Sequence, residues 1–150
     1  MKYFITGTRR GLGHALKQKY GCCESIEDCD IFINCKHDRF SQVTLLYKAA
    51  KLKKRIINIS SNAGDGNKPY IPHEYSIQKA ALDKANEQLF YQGVNTTSVR
   101  FGWFDSPRVA HVEENKMSME YCVGIIEWVL EQPHRVKEIT VVPDNCHGPR

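Results

Sequence analysis

Short apolar, β-branched runs alternate along this chain with longer stretches whose hydrophobic residues recur at helical spacing. The runs lie at Lys2 to Thr6, Asp30 to Cys35, Arg55 to Ser60, Thr96 to Phe101 and Glu138 to Val142. Their length and bounding polar or glycine residues read as buried strands. Between them, Gly11 to Tyr20, Arg39 to Lys54 and His73 to Gln92 read as helices. In the second of these Val43, Leu46, Tyr47 and Ala50 align, and in the third Ala81, Leu82, Ala85 and Leu89. A last helix is expected after Ser118 as N-cap, with Cys122, Ile125, Ile126, Val129 and Leu130 as its stripe and Pro133 as its stop. Strand and helix in alternation predict parallel strands joined by right-handed helical crossovers, with helices on both faces of the sheet. Ligands bind beyond the carboxyl ends of such strands, where the loops Asn62 to His73 and Phe101 to Ser118 should emerge.

Composition narrows the class without changing this picture. At 150 residues the chain suits one domain, 1–150, with 41% hydrophobic and 25% charged residues. No apolar run reaches the roughly 20 residues of a membrane span. The opening residues pass directly into a strand, so no secretory leader and a cytoplasmic location are expected. Six cysteines include no C-x-x-C pair, and no histidines have helical ligand spacing, so no metal site is expected. Cys29 and Cys35 read instead as small buried hydrophobes beside a strand. The charge of +4 is partly concentrated in Lys48, Lys51, Lys53, Lys54 and Arg55 at one helix end. That cluster reads as a solvated terminus complementing the helix dipole, with a nucleic-acid patch as the weaker alternative.

The candidate chemistry begins where the first strand meets the first helix, at Thr6-Gly7-Thr8-Arg9-Arg10-Gly11-Leu12-Gly13. Gly7 suits a tight turn, Gly11 a close backbone approach to a pyrophosphate, and Gly13 close packing of helix on sheet. Arg9 and Arg10 offer guanidinium groups to a 2′-phosphate, while no acidic residue ends a convincing second strand to hold a ribose diol. NADP(H) is therefore expected in preference to NAD(H). Downstream, Ile57-Asn58-Ile59-Ser60-Ser61-Asn62-Ala63-Gly64 is followed fourteen positions after Ser61 by Tyr75, and then by Lys79. Tyr and Lys at i and i+4 share a helix face, and a nearby ammonium favours the phenolate of a group that ordinarily titrates near pH 10. The spacing alone discriminates poorly, since Tyr47 and Lys51 repeat it. Tyr47 lies on the apolar stripe of its helix and reads as core packing.

Taken in order, the glycine turn, the Asn-bearing strand, the Ser strand end, Tyr75-x-x-x-Lys79 and the segment Val99 to Pro107 resemble the short-chain dehydrogenase/reductase family over nearly the whole chain. The resemblance implies a three-layer, doubly wound Rossmann fold with a mostly parallel sheet of five or six strands. It also implies NADP(H)-dependent hydride transfer between nicotinamide and a small carbonyl or alcohol. Catalytic roles fall to Tyr75 as acid/base, Lys79 and Ser61. The cofactor would be held by Gly7, Thr8, Arg9, Arg10, Gly11, Leu12, Gly13, Asn34, Cys35, Lys36, Tyr75, Lys79, Phe101, Gly102, Trp103, Phe104 and Ser106. A homodimer or homotetramer through the Arg39 to Lys54 and His73 to Gln92 helices is a further implication.

The sequence also departs from that pattern. Only Gly21 to Cys29 separate the first helix from the next strand, too few for the strand, helix and strand of a full member, because a crossover needs a dozen residues or more. One sheet edge is expected to be missing, with Glu24 or Ser25 ending at most a residual strand and the adenosine pocket left shallow. The family's N-N-A-G appears as Asn34-Cys35-Lys36-His37, and no Asn in the following helix completes its Asn-Ser-Tyr-Lys tetrad; Gln42 or Ser41 is the nearest substitute. His37 reads as a surface histidine, with a proton-relay role as the alternative. The competing functional reading is a nucleotide-binding sensor or partner protein that kept the fold and lost efficient chemistry.

Overall fold

The computed structural model describes residues 1–7, 10–65, 73–111, 113 and 115–144. Strands β1 (Tyr3–Ile5), β2 (Ile31–Asn34), β3 (Arg55–Ser61), β4 (Thr96–Phe101) and β5 (Glu138–Val141) form one sheet. Their spatial order is β1-β2-β3-β4-β5 and every neighbouring pair is parallel. The helices are α1 (Leu12–Tyr20), α2 (Ser41–Lys51), α3 (His73–Tyr91) and α4 (Met119–Glu131), with short 3₁₀ turns at Asn62–Asp65 and Pro107–Val109. Ser118 caps α4 as expected, its hydroxyl accepting from the Tyr121 N–H at 3.0 Å.

β2 and β4 are buried at every position, which is why neither shows a simple apolar–polar alternation; their polar members Asn34, Ser98 and Arg100 are buried with the rest. One face of the sheet contributes Ile5, Ile31, Ile33, Ile57, Ile59, Val99 and Phe101 to a core with Leu12 and Leu16 of α1 and Cys122, Ile126 and Val129 of α4. The other packs Phe32 and Ile56 against Leu46 and Ala49 of α2 and Leu82, Ala85 and Leu89 of α3. Two layers of helix thus enclose the sheet, the doubly wound arrangement.

Not every crossover has one hand. The β3–α3–β4 and β4–α4–β5 connections both step to the next parallel strand in the same direction, yet α3 and α4 lie on opposite faces. The last crossover therefore has the opposite hand to the one before it, against the uniform handedness expected from sequence.

The shortened edge is closed without a strand. After α1 the chain runs along the outer side of β1, where the Cys23 N–H donates to the Tyr3 carbonyl at 2.8 Å and the Ile5 N–H donates to the Cys22 sulfur at 3.4 Å. It then passes beneath the opposite face, burying Ile26 and Cys29 there, before entering β2. The residual strand expected to end at Glu24 or Ser25 is absent; two cysteines and a turn cover the edge instead.

α2 turns a different face inward than its stripe suggests. Gln42, Leu46 and Ala49 are buried, whereas Tyr47 is 41% exposed and is not core packing. The face is rotated because the Gln42 amide is needed inside, where it bonds the ends of β2 and β3.

Candidate active site

At the carboxyl end of β1, Gly7 and Gly11 adopt φ of 150° and 93°, backbone conformations that favour glycine. A Cβ on Gly13 would stand 2.9 Å from the Gly7 Cα and 3.0 Å from the Thr6 carbonyl oxygen, so the start of α1 rests directly on the strand end. Gly11 differs: a Cβ there meets nothing within 4 Å, and its conformation alone calls for glycine. Among the described residues no side chain caps α1 and no acid stands in its first turn, which leaves the helix's positive end to the glycine turn. The Lys17 ammonium reaches back from α1 to the Gly7 carbonyl at 3.4 Å.

The end of β2 is bound to this turn. The Thr6 hydroxyl accepts from the N–H groups of Cys35 at 2.9 Å and Lys36 at 3.1 Å. The Cys35 thiol lies against Gly13, and burial pushes it up to about 11 despite the opposing charges of Lys79 and Lys17. Asn34 is fully buried beneath the turn, its amide donating to the Gln42 carbonyl at 2.8 Å and to the Asn58 side chain at 3.0 Å. From Asn58 the bonds continue to Asn86 and Thr96, a polar line that joins β2, β3, α3 and β4.

Two positions beyond Cys35, the His37 imidazole packs edge-on against the Tyr75 ring, with centroids 4.7 Å apart and planes at 60°. Tyr75 and Lys79 share a face of α3, the Lys79 nitrogen lying 5.7 Å from the phenol centroid. Lys79 is buried to 3% exposure, and its ammonium donates to the Gln42 side-chain oxygen at 2.9 Å and the Ile59 carbonyl at 3.1 Å. Ser61 closes β3, its hydroxyl accepting from the Ala63 N–H at 3.0 Å, and the 3₁₀ turn that follows packs on α3. Contacts thus lead from the glycine turn through Thr6 to Cys35 and, two positions farther along the chain, from His37 to Tyr75 and Lys79.

The fold has close counterparts among solved structures. A 4-hydroxyisoleucine dehydrogenase mutant complexed with NADH and succinate superposes with a TM-score of 0.75 at 15% identity, covering 100% of both chains. A short chain dehydrogenase from Burkholderia cenocepacia in complex with NADP gives 0.74 at 18% identity, over 93% of this chain and 89% of that one. An alcohol dehydrogenase from the archaeon Thermococcus sibiricus complexed with 5-hydroxy-NADP gives 0.71 at 16% identity, over 99% and 98%. No protein-family model matches the chain, and no curated protein matches it in sequence. The fold is that of the short-chain dehydrogenases.

On this short-chain dehydrogenase fold the remaining expected residues fall into groups. Arg10 and Lys36 are exposed beside the turn; Leu12 is a core residue that brings only its backbone to it. Thr8 and Arg9 lie outside the described residues. Phe101 is buried and meets the Phe104 ring with centroids 5.6 Å apart. A Cβ on Gly102 would come within 2.9 Å of Pro143, so this glycine serves packing against the segment after β5. Trp103 is half-buried, its carbonyl accepting from the Met117 N–H at 2.9 Å, and Ser106 precedes the second 3₁₀ turn. This loop emerges at the same carboxyl end of the sheet as the glycine turn, but three strands farther along.

Three participants were not expected from sequence in the places they occupy. The Thr6 hydroxyl joins β1 to β2, and the only hint is a threonine preceding the first glycine. Lys17 stands where helix periodicity predicts nothing but a solvated cation. His37 is a correction: it is half-buried against Tyr75 rather than a surface histidine.

Proposed function

We propose that this chain binds NADP(H) and reduces a small carbonyl compound. The observation that supports the reading is the segment after β2, whose Cys35 N–H is held by Thr6 beside the glycine turn and whose His37 packs on Tyr75, with Lys79 next to that ring. The turn fits a diphosphate: Gly7 and Gly13 keep the backbone free of Cβ atoms, and the start of α1, which no described side chain caps, supplies N–H groups and a positive dipole end. Among the described residues, the exposed cations Arg10 and Lys36 stand beside the turn where a 2′-phosphate would come, which favours NADP(H) over NAD(H). When bound, the nicotinamide would supply the hydride. Tyr75 would give its hydroxyl proton to the carbonyl oxygen, Lys79 would favour the resulting phenolate, and Ser61 would hold the substrate oxygen by a hydrogen bond. The fold and the bound cofactors of the similar structures support this assignment.

The test is fluorescence titration with NADPH and NADH, followed by NADPH oxidation against activated carbonyls such as 4-nitrobenzaldehyde and butane-2,3-dione. Tyr75→Phe is expected to lower kcat by about a hundredfold or more while leaving the NADPH dissociation constant within about twofold. Full turnover in that variant would remove Tyr75 from the reaction. A second reading, a nucleotide-binding module without turnover, draws on the burial of the Lys79 ammonium against Gln42 and Ile59. It predicts NADPH binding without consumption of any carbonyl.

A further inference from the structure

Once Tyr75 has given up its proton, the phenolate must recover one before the next cycle, and the surroundings decide from which side. On the Lys79 side the way is closed. The ammonium is buried and donates to the Gln42 oxygen and the Ile59 carbonyl, while Gln42 is itself 2% exposed and fixed by its amide to the Asn34 and Ile59 carbonyls. The Ser61 hydroxyl accepts from the Ala63 N–H, and in this reading its own O–H is given to the substrate oxygen. On the opposite side the Tyr75 ring is met by the His37 imidazole, which is half-buried with its Nδ1 enclosed, so that exchange with solvent falls to Nε2. Imidazole is the side chain whose ordinary titration lies closest to neutral pH, which suits it to pass a proton in both directions.

We propose that His37 returns the proton to Tyr75. The inference rests on the reading of Tyr75 as the proton donor. In the step, the phenol O–H bond breaks as the substrate oxygen takes the proton; the phenolate then takes a proton from the imidazolium N–H, directly or through one water. The neutral imidazole is reprotonated by solvent. No electrons change hands between the two side chains.

Two variants separate proton transfer from packing. His37→Phe keeps a ring against Tyr75 and removes the exchangeable proton; with NADPH and 4-nitrobenzaldehyde its kcat is expected to fall about a hundredfold, with KM for both within about twofold. His37→Ala is expected to lose a similar factor and to regain most of it, with saturation, when free imidazole is added, because the vacated space matches that molecule. Unchanged turnover in His37→Phe would overturn the proposal. So would an inactive, folded His37→Ala that imidazole does not restore. Failure of the wider reading looks different: wild-type protein would then consume no NADPH, and the proton-return role would fall with it.

Discussion

The contact between Gly7 and Gly13 shows how a single missing Cβ sets the geometry of a site. The two Cα atoms stand where strand end and helix start touch, and the Thr6 carbonyl crowds the same point. Gly13→Ala must push α1 off the sheet, against backbone that has no flexible side chain to yield. We expect a loss of about 1–3 kcal/mol in urea-melt stability and a weakening of NADPH binding by about tenfold or more. Wild-type affinity in a stable Gly13→Ala protein would show that the close approach is not needed. The spacing of these glycines was legible because each meets a steric demand that other residues cannot. The burial of Gln42 and the placement of His37 were not, since a polar residue beside a helix start looks the same in sequence whether it faces water or a lysine inside.

Among the secondary-structure elements, the strands were found to within a residue at each end, because each is a short run rich in apolar or β-branched residues set off by polar or glycine residues. The interior face of α2 was misread by one position, since hydrophobic periodicity cannot register a buried amide. What holds the elements in place around Ser61 and Tyr75 is equally silent in the pattern. Arg100 of β4 is 7% exposed and forms ion pairs with Asp65 at the end of the 3₁₀ turn and, at 3.0 Å, with Asp83 of α3. It also reaches Thr140 of β5 at 3.0 Å. It ties the turn after the serine to the helix that carries the tyrosine. Burial raises the Asp83 carboxyl above its usual range even though Ser60 and Arg100 oppose the shift. The charges and hydrogen bonds of its partners raise Arg100 in turn, outweighing the burial that lowers it, so the guanidinium stays charged.

Arg100→Met would therefore strand a carboxylate in the interior. The expected cost at pH 7 is about 2–4 kcal/mol, somewhat below that of a fully buried pair because Asp65 is half in solvent. The dependence on pH follows from the direction of the Asp83 shift. A carboxyl whose folded value lies above its unfolded one favours the folded state most when protonated, and that contribution fades as pH rises through the folded value. The variant should thus recover part of its deficit relative to wild type between pH 7 and pH 4.5 in urea melts, and Asp83→Asn placed in the same background should restore stability at pH 7. An equal deficit at both pH values would mean that Asp83 is not the stranded group.

For the whole molecule, similarity of fold outlasts similarity of sequence. Structures at 15–18% identity superpose over nearly the full chain, while no curated protein matches in sequence. What sequence left open was the winding: strands buried on both sides carry no record of which helix covers which face, so the changed hand of the last crossover had no signal. The missing sheet edge did have one, in the nine residues Gly21 to Cys29, and its consequence is specific. With β1 as the outermost strand, edged among the described residues by the Cys22–Cys23 segment, the proposed cofactor would be gripped at its diphosphate and nicotinamide, and little wall would remain for the adenine. NADH and reduced nicotinamide mononucleotide, which lacks the adenosine half, are then expected to bind with dissociation constants within about tenfold of each other, a difference under about 1.4 kcal/mol. NADPH should bind more tightly than either through its 2′-phosphate, and that advantage should shrink as salt is raised, since exposed cations such as Arg10 are screened. A hundredfold preference for NADH over the mononucleotide would require a formed adenine pocket, and the shortened edge would then have cost the site nothing.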